Sequence, residues 1–147
     1  MPRRLAVVVA LCLLAGLAGA AEGPGDAHGI RVRAACYQAS RLLADLSCER
    51  AMDCWRDPSA MGVLDLETGK RIDASTNDLV YIGPDGALLA EPPMQGQIRA
   101  VWTFALGPSA PHKVQLVQGD ETATSGFEPS ADCATLPPAA VRRLAGG

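Results

Sequence analysis

Residues 34–58, AACYQASRLLADLSCERAMDCWRDP, carry three of the four cysteines that follow the first 20 residues, and their reading decides the fold. Ala35, Ala39, Leu42 and Leu46 recur on one helical face with Leu43 beside them, while Arg33, Arg41 and Asp45 point away. That face then turns polar at Glu49, Arg50 and Asp53, and a second apolar face starts with Cys48, Ala51, Met52 and Trp55. An apolar face that rotates abruptly means a break. Ser47 suits the N-cap of a second short helix, Glu49 suits its dipole, and the residue before Pro58 resists helix. The stretch therefore predicts a helical hairpin, about 30–46 and 48–56.

Upstream, residues 21–29 (AEGPGDAHG) read as a flexible N-terminal segment. Residues 1–20 read as a secretory signal peptide: Arg3 and Arg4, an apolar run from Leu5 to Leu17, then Ala18-Gly19-Ala20. Losing that leader moves the formal net charge from −3 to −5, because Arg3 and Arg4 go with it. An acidic chain argues against nucleic acid or an anionic membrane surface as partner, since both call for a basic patch. No later segment is long and apolar enough to span a bilayer.

Export and an even number of cysteines go together, so Cys36, Cys48, Cys54 and Cys133 are expected to form two structural disulfides. In one straight helix Cys36 and Cys54 would stand about 27 Å apart. A fold-back at Ser47 brings them side by side, which predicts Cys36–Cys54 and leaves Cys48 for Cys133. The cysteines lack the close C-x-x-C spacing of a zinc site, so neither a metal nor a cofactor is expected.

Downstream the pattern changes to short strands. MGVLDLE turns at Thr68-Gly69-Lys70 toward RIDA, and DLVYI turns at Gly83-Pro84-Asp85-Gly86 toward ALLA. QIRAVWTFAL is the longest alternating run, with Ile98, Ala100, Trp102, Phe104 and Leu106 on one surface and Arg99, Val101 and Thr103 on the other. In KVQLVQ, Val114, Leu116 and Gln118 alternate with Lys113, Gln115 and Val117, so residues 97–118 read as a long hairpin. Residues 120–136 read as irregular structure held by Cys133, and 137–147 as a frayed tail. The fold class expected is α+β: one disulfide-stabilised domain over 30–136, its helical hairpin packed on an antiparallel meander of five or six strands.

No catalytic motif is evident. Nucleophilic catalysis needs a Ser, Thr or Cys beside a base, and no Gly-x-Ser-x-Gly elbow occurs. His112, paired with a carboxylate such as Asp65 or Glu67, is the one candidate for acid–base work and would make the protein a small secreted hydrolase. A periplasmic carrier of a small ligand held between helix and sheet is a further alternative. The leading expectation is a small exported, non-catalytic binding protein, such as an inhibitor, immunity-type or accessory protein, acting on an extracytoplasmic protein. Its partner-binding residues are expected in the loop Pro108, Ser109, Ala110, Pro111 and His112, whose prolines limit the entropy lost on binding.

Overall fold

Two strands occupy the stretch expected to be helical. In the computed structural model, which describes residues 29–49, 58–107 and 110–146, Ile30–Gln38 (β1) pairs antiparallel with Arg41–Cys48 (β2). This overturns the α+β assignment and its helical hairpin. Most of the second expected helix, 50–56, lies outside the described residues.

Three local features hid the strands. β2 lies between two other strands and is buried on both faces, so every residue from Leu42 to Cys48 is buried and alternation disappears. β1 contains a bulge between Val32 and Ala34. Ile30 and Val32 face one side, and the extra residue lets Ala35 and Tyr37 return to it, which breaks the period of two. The hairpin turn is Ala39-Ser40, with Ala39 at φ 53°, a conformation usually signalled by Gly, Asn or Asp.

The other strands are Met61–Asp65 (β3), Arg71–Asp73 (β4), Val80–Ile82 (β5), Leu88–Leu89 (β6), Ile98–Ala105 (β7), Val114–Gln118 (β8) and Glu121–Phe127 (β9). A five-stranded sheet has the order β1-β2-β7-β5-β6, and a four-stranded sheet the order β4-β3-β8-β9. All pairings within them are antiparallel. Among the described residues, nine strands in two sheets replace the meander of five or six. The β3–β4 and β5–β6 hairpins form where their turn residues predicted them. At Gly83-Pro84-Asp85-Gly86 the turn is closed by Gly86 N–H to the Gly83 carbonyl (2.9 Å) and Ala87 N–H to Asp85 Oδ1 (3.1 Å).

β7 and β8 do not form the expected hairpin, because they lie in different sheets and the chain between them crosses over. Their inward faces are nonetheless as read. Ile98, Ala100, Trp102 and Phe104 of β7 and Val114 and Leu116 of β8 meet Leu42, Leu46, Met61 and Val63 in one buried cluster. Each such large apolar side chain contributes on the order of 1.5–3 kcal/mol by leaving water. The polar run expected to be irregular becomes β9, which borrows its order from β8.

The outer face of the five-stranded sheet has a second cover. Pro138–Gly146 is a helix (α1), not a frayed tail. Proline suits its first position, and Leu136, Ala140 and Leu144 pack on Cys36, Leu43, Ile82 and Val101. At its other end Arg41 Nη2 donates to the Leu144 carbonyl (2.7 Å), placing a cation at the helix C-terminus. The segment leading to α1 is fastened to β1 by Tyr37 N–H to the Ser130 carbonyl (2.9 Å) and Ser130 N–H to the Ala35 carbonyl (2.8 Å).

Cys36 bonds to Cys133, with Cα atoms 5.1 Å apart across 97 residues of sequence. This corrects both expected pairings, Cys36–Cys54 and Cys48–Cys133. The pairing followed from the helical fold-back, and with β1 an edge strand Cys36 faces α1 instead. Cys48 is also disulfide-bonded, its partner lying outside the described residues.

Candidate functional site

α1 covers only part of the outer face of the five-stranded sheet. Along β2 and β7 the outward residues change from Leu43, Val101 and Thr103 to Asp45, Ser47 and Arg99. On the inward face the same strands stay apolar to their ends, at Cys48 and Ile98. The change to polar residues is therefore confined to one side of the sheet.

Asp45 is 1% exposed, and its carboxylate accepts two parallel bonds from Arg99, from Nε to Oδ1 (3.0 Å) and from Nη2 to Oδ2 (2.7 Å). The two residues sit diagonally on neighbouring strands, Asp45 opposite Val101 and Arg99 opposite Ser47. The fork geometry fixes the guanidinium, and hydrogen bonding to Asp45 raises its pKa above the ordinary arginine value. Arg99 Nη1 has no acceptor among the described residues.

Arg99 lines two adjoining clefts. The first, about 460 Å³, is lined by Arg33 of β1, Ile82 and Leu89, and has Pro84, Pro93 and Gln97 in its walls. The second, about 530 Å³, lies at the start of α1 and includes Asp85, Thr135, Pro138 and Arg142. Arg33 and Arg142 are exposed and form no ion pair with any described residue. Three guanidinium groups thus line clefts in which Asp45 neutralises one and Asp85 is the carboxylate at the lining.

Arg71 provides the contrast. Its guanidinium bonds to the Ala60 carbonyl (2.7 Å), the Gly119 carbonyl and Asp73 Oδ1 (2.8 Å), tying β4 to the start of β3 and to the β8–β9 turn. A Cβ at Gly62 would come within 3.0 Å of Arg71 Nε, so glycine leaves room for this clamp. Arg71 is satisfied by the protein itself; Arg33 and Arg142 have no ion pair among the described residues.

The residues singled out from sequence lie elsewhere. Pro108 and Ser109 are outside the described residues, and Ala110 and His112 are exposed. Pro111 is buried and its carbonyl accepts the Tyr37 hydroxyl proton, so it anchors the crossover. His112 Nε2 is 3.8 Å from Glu128 Oε1 with both side chains well exposed, and no described ion pair joins it to Asp65 or Glu67. Asp65 Oδ1 accepts the Glu67 backbone N–H (2.9 Å), which is the main cause of its lowered pKa and makes it a turn residue. Among the described residues no three His, Cys, Asp or Glu side chains gather as a metal site would need.

The cleft residues escaped notice because each looked ordinary on its own. A helical reading puts Arg33 and Asp45 on its outward side, and the alternation of β7 puts Arg99 on one surface with Val101 and Thr103. One signal was present: Asp45 interrupts LLADLSC, otherwise apolar or small, and a charge there demands a partner. No helix among the described residues is long and apolar enough to cross a membrane. No protein-family model, curated protein or solved structure matches the chain.

Proposed function

We propose that this chain is an exported, non-catalytic binding protein that recognises an extracytoplasmic protein through the clefts around Arg99 on the five-stranded sheet's outer face. The observation that carries this reading is the pre-formed polar cleft around Arg99. Its floor is sheet, its central guanidinium is fixed by a buried carboxylate, and Pro84 and Pro93 stand in its walls. Groups already held in place lose little entropy on binding. The leader-like start and the Cys36–Cys133 disulfide support an oxidising compartment.

The loop from Pro108 to His112 is the competing surface. It follows the opposite end of β7, about 20 Å from Arg99 at strand rise, and the burial of Pro111 leaves Ala110 and His112 as its accessible described residues. A photo-cross-linking residue placed at Gln95, on the cleft wall, or at Ala110 separates the two surfaces. Exposed to the native envelope fraction, the Gln95 variant is expected to capture a discrete protein. Capture from Ala110 alone, or from neither position, overturns the reading.

A further inference from the structure

Resting on that reading, we infer that the cleft around Arg99 takes an acidic side chain carried on an extended segment of the partner protein. The charge distribution is the first ground. The chain is acidic overall, yet Arg33, Arg99 and Arg142, drawn from β1, β7 and α1, converge on two adjoining clefts that share Arg99. A protein of net negative charge that gathers three guanidinium groups in adjoining clefts, two of them without an ion pair among the described residues, is complementary to an isolated anionic group there, not over its whole surface.

The geometry narrows the class. Asp45 occupies Arg99 through Nε and Nη2, which leaves Nη1 without an acceptor among the described residues. A carboxylate is a planar acceptor suited to such guanidinium donors, and Arg33 lines the same cleft as a second cation. Ile82 and Leu89 offer apolar surface for the methylene groups of a Glu side chain, and Gln95 provides an amide for peptide backbone, while Gln97 Nε2 donates to Glu49 Oε1 (3.4 Å). Asp85 lines the second cleft, so a continuous polyanion running through both would meet a like charge. One acidic residue within a peptide fits this pattern better than a nucleic acid or a sulfated polysaccharide.

Retention of the buried pair points the same way. A hydrophobic pair of similar size often stabilises a fold as well as a buried ion pair does. Here the inward face of the same two strands shows that apolar residues are readily accommodated. Asp45 is the positioning residue and Arg99 the contact residue.

Two capped octapeptides in an Ala/Ser background, one with a central Glu and one with Gln in its place, serve as probes against the mature, disulfide-bonded protein. Binding is read from the arginine Nε–Hε and backbone amide resonances in nitrogen-edited NMR. The Glu peptide is expected to shift the Arg99 Nε–Hε signal and the amides of Gln95 and Gln97, with Arg33→Gln weakening it roughly tenfold. Arg99→Leu alone strands Asp45, so the double variant Asp45→Leu/Arg99→Leu is the folded control and should lose the response. Equal shifts with the Gln peptide, with heparin or with inorganic phosphate overturn the inference, as does an undiminished response in the double variant. If neither peptide shifts the cleft while cross-linking from Gln95 still captures a protein, acidic recognition falls alone. If that capture is also missing, the binding reading falls with it.

Discussion

The outer face of the five-stranded sheet is two surfaces on the same strands. Over Leu43 and Val101 it is apolar and α1 closes it, with Ala140 and Leu144 buried against the sheet. A residue or two further along it carries Asp45 and Ser47, both buried, and Arg99, which is half-buried and lines the clefts. Both surfaces rest on one continuous hydrogen-bonded ladder, so strand pairing does not distinguish them. The covered part is made by hydrophobic burial; the part beyond it holds a charge pair whose carboxylate is itself buried.

The sharpest way to break the comparison is to remove one member of the pair. Arg99→Leu leaves Asp45 buried and uncompensated, and urea unfolding should report a loss of about 3–5 kcal/mol. Asp45→Leu/Arg99→Leu should recover most of it. A double variant as unstable as the single would mean the pair is structural, and the distinction between the two surfaces would fail.

The covered part should respond to packing instead. Leu144→Ala is expected to cost about 2–4 kcal/mol in the same unfolding transition. Removal of the disulfide as Cys36→Ala/Cys133→Ala should cost a similar amount, about 2–4 kcal/mol, chiefly by freeing a long loop in the unfolded chain. If the helix frayed independently, Leu144→Ala would leave the main transition unmoved and alter only helical circular dichroism. Smaller again is Arg41→Ala, which removes the bond to the Leu144 carbonyl. A loss of about 1 kcal/mol is expected, together with faster amide exchange in the last turn of α1.

The smallest effect tests the far end of the inward cluster. Burial first, and then the charges of Asp65 and Glu67, raise the Tyr37 pKa above its ordinary value. The folded state therefore favours the neutral phenol. Its contribution is complete below about pH 10 and is lost as pH rises through the folded-state pKa. Chemical unfolding between about pH 9 and 11.5 should show a shallow alkaline decline that Tyr37→Phe lessens, the remainder belonging to Tyr81, whose pKa burial also raises. A decline of unchanged slope in Tyr37→Phe would assign it to another group.

How much could be read in advance varied with the environment of each strand. β7 alternates and faces the core as read, because one side of it meets the opposite sheet and its ends are polar on the other. The β3–β4 and β5–β6 hairpins were legible through Thr68-Gly69-Lys70 and Gly83-Pro84-Asp85-Gly86, since those residues have turn conformations of their own. β2 was not legible, because a strand buried on both faces presents LLADLSC, which satisfies a helical period equally well.

Local chemistry of the amino acids thus determined the inward phase of β7 and β8 and two tight hairpins. Each depends on residues within a few positions of one another. What only the tertiary structure decided are the relations between distant segments. Cys36 meets Cys133 because the segment after β9 returns to the edge of β1. Residues 138–146 become a helix because Leu43 and Val101 offer a surface to cover, and β9 becomes a strand because β8 supplies its partner. The cleft is the extreme case. Arg33, Asp45, Arg99 and Arg142 come from β1, β2, β7 and α1, and no period or motif links them. They converge because the sheet sets β1, β2 and β7 side by side and Arg99 joins buried Asp45 to the clefts that Arg33 and Arg142 also line.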